Sequence, residues 1–539
     1  MTASTFGRLA ALAPLLLALG CGDGDDSKGG AGGGGGSGGS SGSGGSSGGG
    51  GGSSGSGGSG AAGSGGSAGT PPTLDCPNKL APHEPKGQVE KVGSGTAASC
   101  TEQALHDAVA KVDGGTVTFD CGGEHTITLT KSVFVPKSML LDGGGQITLS
   151  GGGKVRVLEL DHHIDFVIQR ITIRDGFVPA GSENESGAGL LHPWFGTLEA
   201  IDVRFENNHS ASQDHDVGGG AIYAGGLTRA VLSGCVFENN SGSTGGGVLS
   251  RSTNLSVANC VFFGNAATTY AASGQYGNGG GLYIDRMWLD APKDFVMCGT
   301  VFEKNSAKVH GSALFSYNLE GTGASIERCT FDQNVMEGTG TGSVYHEGVP
   351  LSLTTSTFSG NSTGQHAGGL FLGGGSDAKV ENCTFDGNTT PGNAGALWAG
   401  NGNVEVANVT FANNSADYGP VIFKGQSGKV KLTNVIFANN KTANQYSALA
   451  CHETFDDGGG VIQWPDKKNS GSKDTPCTSG AVFADPALGA LADNGGPTKT
   501  MALAAGSPAI DVGGTCSEFD QRGEPRVGKC DSGAFEFQP

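Results

Sequence analysis

The chain has 539 residues, 100 of them glycine, and a net charge of −19; glycine is far above its usual share of ~7%. Its 32 Lys and Arg are dispersed without a basic run, which excludes a nucleic-acid surface and charge-driven binding to anionic lipid. Acidity is compatible with bound calcium, but charge alone is no argument for it, so no cofactor is expected.

The first twenty residues read as an export signal. Arg8 supplies a positive start, and "LAALAPLLLALG" is an apolar stretch too short to span a bilayer permanently. Cys21 follows Ala18-Leu19-Gly20. This resembles the lipobox of bacterial lipoproteins, with a small residue before a cysteine that becomes diacylated, although Ala18 stands where that pattern usually has Leu. The resemblance implies lipidation of Cys21 and a membrane partner reached through the acyl chains. Residues 21–70 then form the anchor cysteine and a linker that is almost purely Gly and Ser from Gly29 to Gly69. Such a segment buries nothing and behaves as a flexible coil reaching ~35 Å. The expected location is exported and membrane-anchored, at the outer membrane or cell surface.

Of 13 cysteines, removing Cys21 leaves an even number, as an oxidising compartment favours. Cys100 and Cys121, Cys451 and Cys477, and Cys516 and Cys530 bracket short units and are disulfide candidates, with connectivity left open. No C-x-x-C pair is present, which argues against structural zinc.

From about residue 71 the chain can fold. "SCTEQALHDAVAKV" spaces Ser99 and Glu102 as a capping box. Leu105, Ala108, Val109 and Val112 give one apolar helical stripe. A short helix here would cover the open end of a sheet structure. "GTVTFD" and "HTITLT" then alternate as first strands.

A repeat follows. Phe205, Phe237, Phe262, Phe302, Phe331, Phe358, Phe385, Phe411 and Phe437 are each followed three residues later by Asn: Asn208, Asn240, Asn265, Asn305, Asn334, Asn361, Asn388, Asn414 and Asn440. "ITIRDG" is a degenerate earlier copy with Ile173 in the Phe position. After each Asn come two small residues, an aliphatic and usually an aromatic, as in "GGLY" and "GALW". An alternating segment such as "VEVANV" precedes each Phe. Units of about 25–30 residues with three short strands mean a parallel β-solenoid, all-β apart from the capping helix. The Phe row is then an interior stack. Cys235, Cys260, Cys329 and Cys383, two residues before Phe, are core filler. The Asn row sits at a corner, where it tolerates a left-handed backbone and its amides bond from turn to turn.

Residues 100 to 445 resemble the right-handed parallel β-helix of the pectin-lyase-like superfamily, especially the repeats of polymorphic outer-membrane proteins. The tail resembles the C-terminal region of the choice-of-anchor Q family through "NGGPT", "GSPAID", "DQRGEPR" and "CDSGAFE". These resemblances imply a signal peptide over 1–20, a linker over 21–70, a β-helix with its N-terminal cap over 71–445, and a tail over 446–539 that closes the far end.

That fold hosts polysaccharide lyases and hydrolases, so catalysis has to be weighed. The superfamily's Asn-Thr-Asp, Gly-His-Gly and Arg-x-Pro-x-x-Arg motifs are absent. Asp214, His215 and Asp216 resemble the Asp-Pro-His-Asp of mannuronan epimerases without its proline, and are the weak catalytic candidates beside the plainer reading of a solvated loop. Asp161, His162, His163 and Asp165 alternate faces, so only half could converge. His310 and His366 are expected as solvent-facing corner histidines. One aromatic per turn, Tyr223, Tyr283, Phe315, Tyr345, Phe371, Trp398 and Phe423, would form an external stripe suited to sugar rings if its aliphatic neighbours line the core. The inserts Pro179–Gly196 and Ala267–Gly280 would overhang a face and shape a cleft. The expected function is adhesion or polysaccharide binding without catalysis, by a monomer. The alternatives are a polyuronide lyase, hydrolase or epimerase, and a purely structural surface element.

Overall fold

The computed structural model describes residues 76, 79–214, 217–269, 277–285, 294–318 and 321–539. The signal sequence, Cys21, the linker, His215, Asp216 and part of the second insert lie outside these residues. Strands of successive turns pair in parallel throughout the coil region, so the chain winds as a β-helix with three faces. The turn containing Phe331 shows the pattern. Ala324–Glu327 and Thr330–Asp332 lie on face A, Val335–Met336 on face C, and Val344–Gly348 on face B.

The turns stack in strict register. Phe302 pairs with Phe331, and Phe331 with Phe358. From Phe205 to Phe437 the buried rings stack face to face, with centroids 4.5–5.4 Å apart. Each such ring removes an apolar side chain from water, a contribution of ~1.5–3 kcal/mol per residue. The thiols of Cys235, Cys260, Cys329 and Cys383 are free and buried in the row beside the rings. Burial pushes the Cys329 and Cys383 thiols up to about 12, so both are inert neutral filler.

The Asn row forms the predicted ladder with a shift in its backbone logic. Each ladder amide reaches inward. Asn305 Nδ2 donates to Asn334 Oδ1 at 3.0 Å and to the Phe262 carbonyl at 2.8 Å, and the Asn305 backbone N–H donates to the same Asn334 Oδ1 at 3.0 Å. The left-handed backbone, however, belongs to the residue before each Asn, as at Lys304 (φ 54°) and Gln333 (φ 53°). A second left-handed corner precedes each Phe by three residues, as at Arg328 (φ 54°) and Asn382 (φ 51°). The ladder Asn must keep its side chain inside to bond, so its neighbour takes the turn and points outward.

Both ends depart from the expected caps. The helix Glu102–Lys111 buries Leu105, Ala108 and Val109 over the first turns, as its stripe predicts. Its N-cap is Thr101, whose side chain accepts from Ala104 N–H at 3.1 Å. Glu102 instead accepts from Thr130 and Lys131, which ties the helix to the coil, and Ser99 makes only local bonds. At the far end Asp456–Asp457, Ile462–Trp464 and Val482–Phe483 continue face A. The last fifty residues do not close that end; they lie along its side. Gln521 bonds Thr357 and Thr384, Ser517 bonds Asn382 and Asn408, and Asn434 receives Gly514 N–H. Met501, Leu503, Ala509 and Phe535 pack on the outer apolar surface of Ala412, Ile436 and Ile462. The tail motifs are its internal glue. Arg526 pairs with Glu536 at 3.0 Å and Arg522 with Asp520 at 2.8 Å, and both carboxylates also take backbone N–H groups.

Four disulfides form among the described residues. Three join the expected partners, Cys100–Cys121, Cys451–Cys477 and Cys516–Cys530. The fourth, Cys76–Cys298, spans 222 residues.

Candidate ligand-binding site

Face B carries the aromatic row. The aliphatic residues Ile222, Leu282, Leu314, Val344, Leu370, Leu397 and Ile422 point into the core and are fully buried. Strand alternation then turns Tyr223, Tyr283, Phe315, Tyr345, Phe371, Trp398 and Phe423 outward. From Tyr283 onward these rings stack on one another at 4.6–5.6 Å, with interplanar angles of 8–28°. His452 continues the stack beyond Phe423 at 4.5 Å. The stripe is external, but its π-faces are spent on each other and its edges meet solvent.

The histidines expected in solvent flank this stripe. His310 lies 5.0 Å from the Tyr345 ring and His366 4.9 Å from Trp398. Burial lowers His310 to about 4, and its Nδ1 accepts from the Thr341 hydroxyl at 3.0 Å, so it is neutral. On the other flank, register aligns Arg251, Asp285, Tyr317 and Glu347 along one rail. Tyr345 donates its hydroxyl to Glu347 at 2.5 Å, and burial together with that carboxylate raises the phenol.

The repeat breaks at the N-terminal end of the stripe, where Leu249 replaces an aromatic. There the insert comes over face B and encloses a cleft of ≈ 310 Å³ lined by Ser182–Ser186, Leu191, Pro193, Trp194, Asp214, Val217 and Tyr223. Two glycines make room for its rings. A Cβ on Gly225 would lie 2.5 Å from the Tyr223 ring, and one on Gly226 would lie 2.1 Å from the Trp194 ring. Gly226 also holds φ at +63°, a backbone that favours glycine. Trp194 remains 39% exposed, so its ring is available to a ligand. Glu183, Glu185 and Asp214 bring carboxylates to the same wall.

Of the sequence candidates, the structure brings Tyr223 and Asp214 together here. It leaves Tyr283 to Phe423 in the self-stacked ladder. Asp161, His162, His163 and Asp165 do not converge: His163 stacks on Phe195 at 4.7 Å, while Asp165 accepts from Thr197 at 2.8 Å. Trp194, Glu183 and Glu185 escaped residue-level reasoning because they belong to no repeat row. The length of the insert was their only signal. Among the described residues, no group of three His, Cys, Asp or Glu side chains is placed to hold a metal ion.

Comparison with known proteins bears on the coil. A family model described as a right handed beta helix region matches residues 198–349 and 328–464. The fold is a right-handed parallel β-helix. No curated protein matches the chain. Among solved structures, ORF18 of Geobacillus virus E2 is 15% identical with a TM-score of 0.34, over 61% of each chain. The β-helix thus covers less than two thirds of that viral protein. PfbA, a surface adhesin of Streptococcus pneumoniae, is 14% identical with a TM-score of 0.34, over 69% of this chain and 94% of its own. Likenesses at this level speak to neither ligand nor location.

Proposed function

We propose that this β-helix is an exported surface protein that binds polysaccharide, without catalysis, in the cleft at the head of the aromatic stripe. The observation that carries this reading is the exposed Trp194 ring beside Tyr223, with Asp214 and the polar insert converging on the same space. A flat apolar platform ringed by a few polar groups is what a sugar ring requires. Four disulfides suit an oxidising, extracytoplasmic setting. Lipidation at Cys21 supplies the membrane attachment in this reading, at the outer membrane or cell surface. The tail is that of a choice-of-anchor Q protein, and the molecule acts as a monomer with no cofactor.

A glycan array on the purified chain tests the proposal, with Trp194→Ala and Tyr223→Ala as probes. Each substitution should weaken binding at least about tenfold, equivalent to ~1.4 kcal/mol. Absence of binding to any glycan would favour a purely structural surface element. Release of unsaturated uronates from a polyuronide, lost in Asp214→Asn, would establish an enzyme instead.

A further inference from the structure

The chain does not enter this solenoid at its end. Cys76 and residues 79–86 form a strap along the corner between the two strands of face A, running against the direction in which the coils grow. Cys76 is bonded to Cys298, at the end of the mid-length strand Phe295–Cys298. Leu80 N–H donates to Ser233 Oγ at 2.8 Å. His83 exchanges two bonds with the Gln169 amide, at 2.7 and 2.8 Å, and its ring meets Glu199 at 2.7 Å. Lys86 N–H and carbonyl both bond Thr116 Oγ1 at 2.9 Å. Only then does Val89–Val92 pair with Thr116–Phe119 and start the coil.

We infer that the strap and its disulfide form a mechanical clamp: tension arriving ahead of Cys76 enters the solenoid at Cys298 and bypasses every coil before it. The noncovalent contacts of the strap are arranged in series from mid-length back to the cap. Pulled alone, they would break singly, as a zipper opens, and leave the first strand, Val89–Val92, as the next element to yield. The Cys76–Cys298 bond removes that route, because the load passes through covalent bonds into the stacked strands around Cys298. The residues between the two cysteines form a closed loop that tension between the chain termini cannot extend. The cleft residues Trp194, Asp214 and Tyr223 lie within that loop. If the proposed binding reading is right, the ligand site therefore keeps its shape while the coils after Cys298 carry strain; the clamp itself does not depend on that reading.

Single-molecule stretching of the full oxidised chain between its two termini tests this, against the Cys76→Ser/Cys298→Ser variant. The variant should gain the 222-residue loop less the 21 residues still held by Cys100–Cys121. At ~3.3–3.6 Å per residue that is an additional extension of about 660–720 Å. Equal total extension would overturn the clamp. Should the variant fail to fold, adding reductant to the stretched wild type gives the same reading: a gain of at least that length is expected, and no gain refutes the inference. Glycan binding by the unstretched protein is measured separately, so loss of either reading leaves the other standing.

Discussion

Replacing Asn334 by Ala would show how much the solvent-free ladder holds the coils together. Asn334 is fully buried and its side chain takes part in four bonds. Its Oδ1 accepts from the Asn305 N–H and from Asn305 Nδ2, both at 3.0 Å, and its Nδ2 donates to the Phe302 carbonyl and to Asn361 Oδ1, both at 3.0 Å. Alanine removes all four and leaves two donors of the preceding turn unpaired, the Asn305 N–H and one Asn305 amide hydrogen, while the Phe302 carbonyl loses one of its two donors and keeps its place in the parallel strand pairing. Asn361 Oδ1 still receives the backbone N–H of residue 334. An unsatisfied buried polar group costs about 1–3 kcal/mol, so two of them should cost about 2–6 kcal/mol, partly relieved if water enters the space. Asn334→Asp should not rescue it. Its second oxygen would face the Phe302 carbonyl and Asn361 Oδ1, acceptors both. The assay is urea unfolding combined with hydrogen exchange resolved along the chain, since coils of a solenoid can open separately. Protection should drop first at Phe302, Asn305 and their paired neighbours. A loss under about 1 kcal/mol with unchanged exchange would refute the idea that the ladder is a principal source of cohesion.

His310 gives a pH prediction. Burial holds its folded value at about 4, below the ordinary 6.5, so the unfolded chain binds the extra proton between those values. Stability attributable to this residue is complete above about pH 6.5 and is lost as pH falls towards 4, by about 3 kcal/mol. His310→Phe keeps a ring against Tyr345 and should flatten that part of the stability–pH curve; an unchanged slope would refute the assignment. His192, His209, His366 and His452 are lowered in the same direction, so the slope is reduced, not abolished. Gln521 holds the tail through Thr357, Thr384 and Thr498 at 2.7–2.9 Å. Gln521→Ala should free the tail to proteolysis while the coils stay resistant; equal protection of both would show that the apolar contacts of Phe535 and Met501 suffice.

The coil was legible because it repeats. Phe and Asn recur at a fixed offset nine times, and burial at one such position implies burial at all. The stripe of Leu105, Ala108 and Val109 was legible for a related reason, a local period. What repetition does not encode was harder to read. The left-handed residue sits one place ahead of each ladder Asn, where seven of nine positions are Asn or Gly, the types that favour that backbone, but Lys304 and Gln333 break the pattern and the unbroken ladder Asn masks it. Thr101 and Ser99 both suit an N-cap, and only the contact of Glu102 with Thr130 decides between them. The Cys76–Cys298 pair lacks any spacing signal, because the strap brings together residues 222 apart. The sequence makes the aromatic row external only on condition that its aliphatic neighbours line the core, as they do, and alternation along a strand says nothing about ring orientation. Turns about 4.8 Å apart leave little choice but to stack rings on one another. Trp194 and its carboxylate neighbours lie in an insert, where no row predicts a neighbour.

The Asn ladder also bears on how such a chain acquires its length. Every rung offers the previous turn the same acceptor that the next turn offers it, so Asn334 donates to Asn361 just as Asn361 donates to Asn388. Deleting or copying one whole turn in the gene would join surfaces that already match. The later turns, from Phe331 to Phe437, recur every 26 or 27 residues, while the spacing of the earlier ones varies more widely because they carry inserts. The number of coils is thus a heritable variable that unequal recombination can adjust, with the reach of the molecule changing by one strand spacing at a time and no new interface to invent.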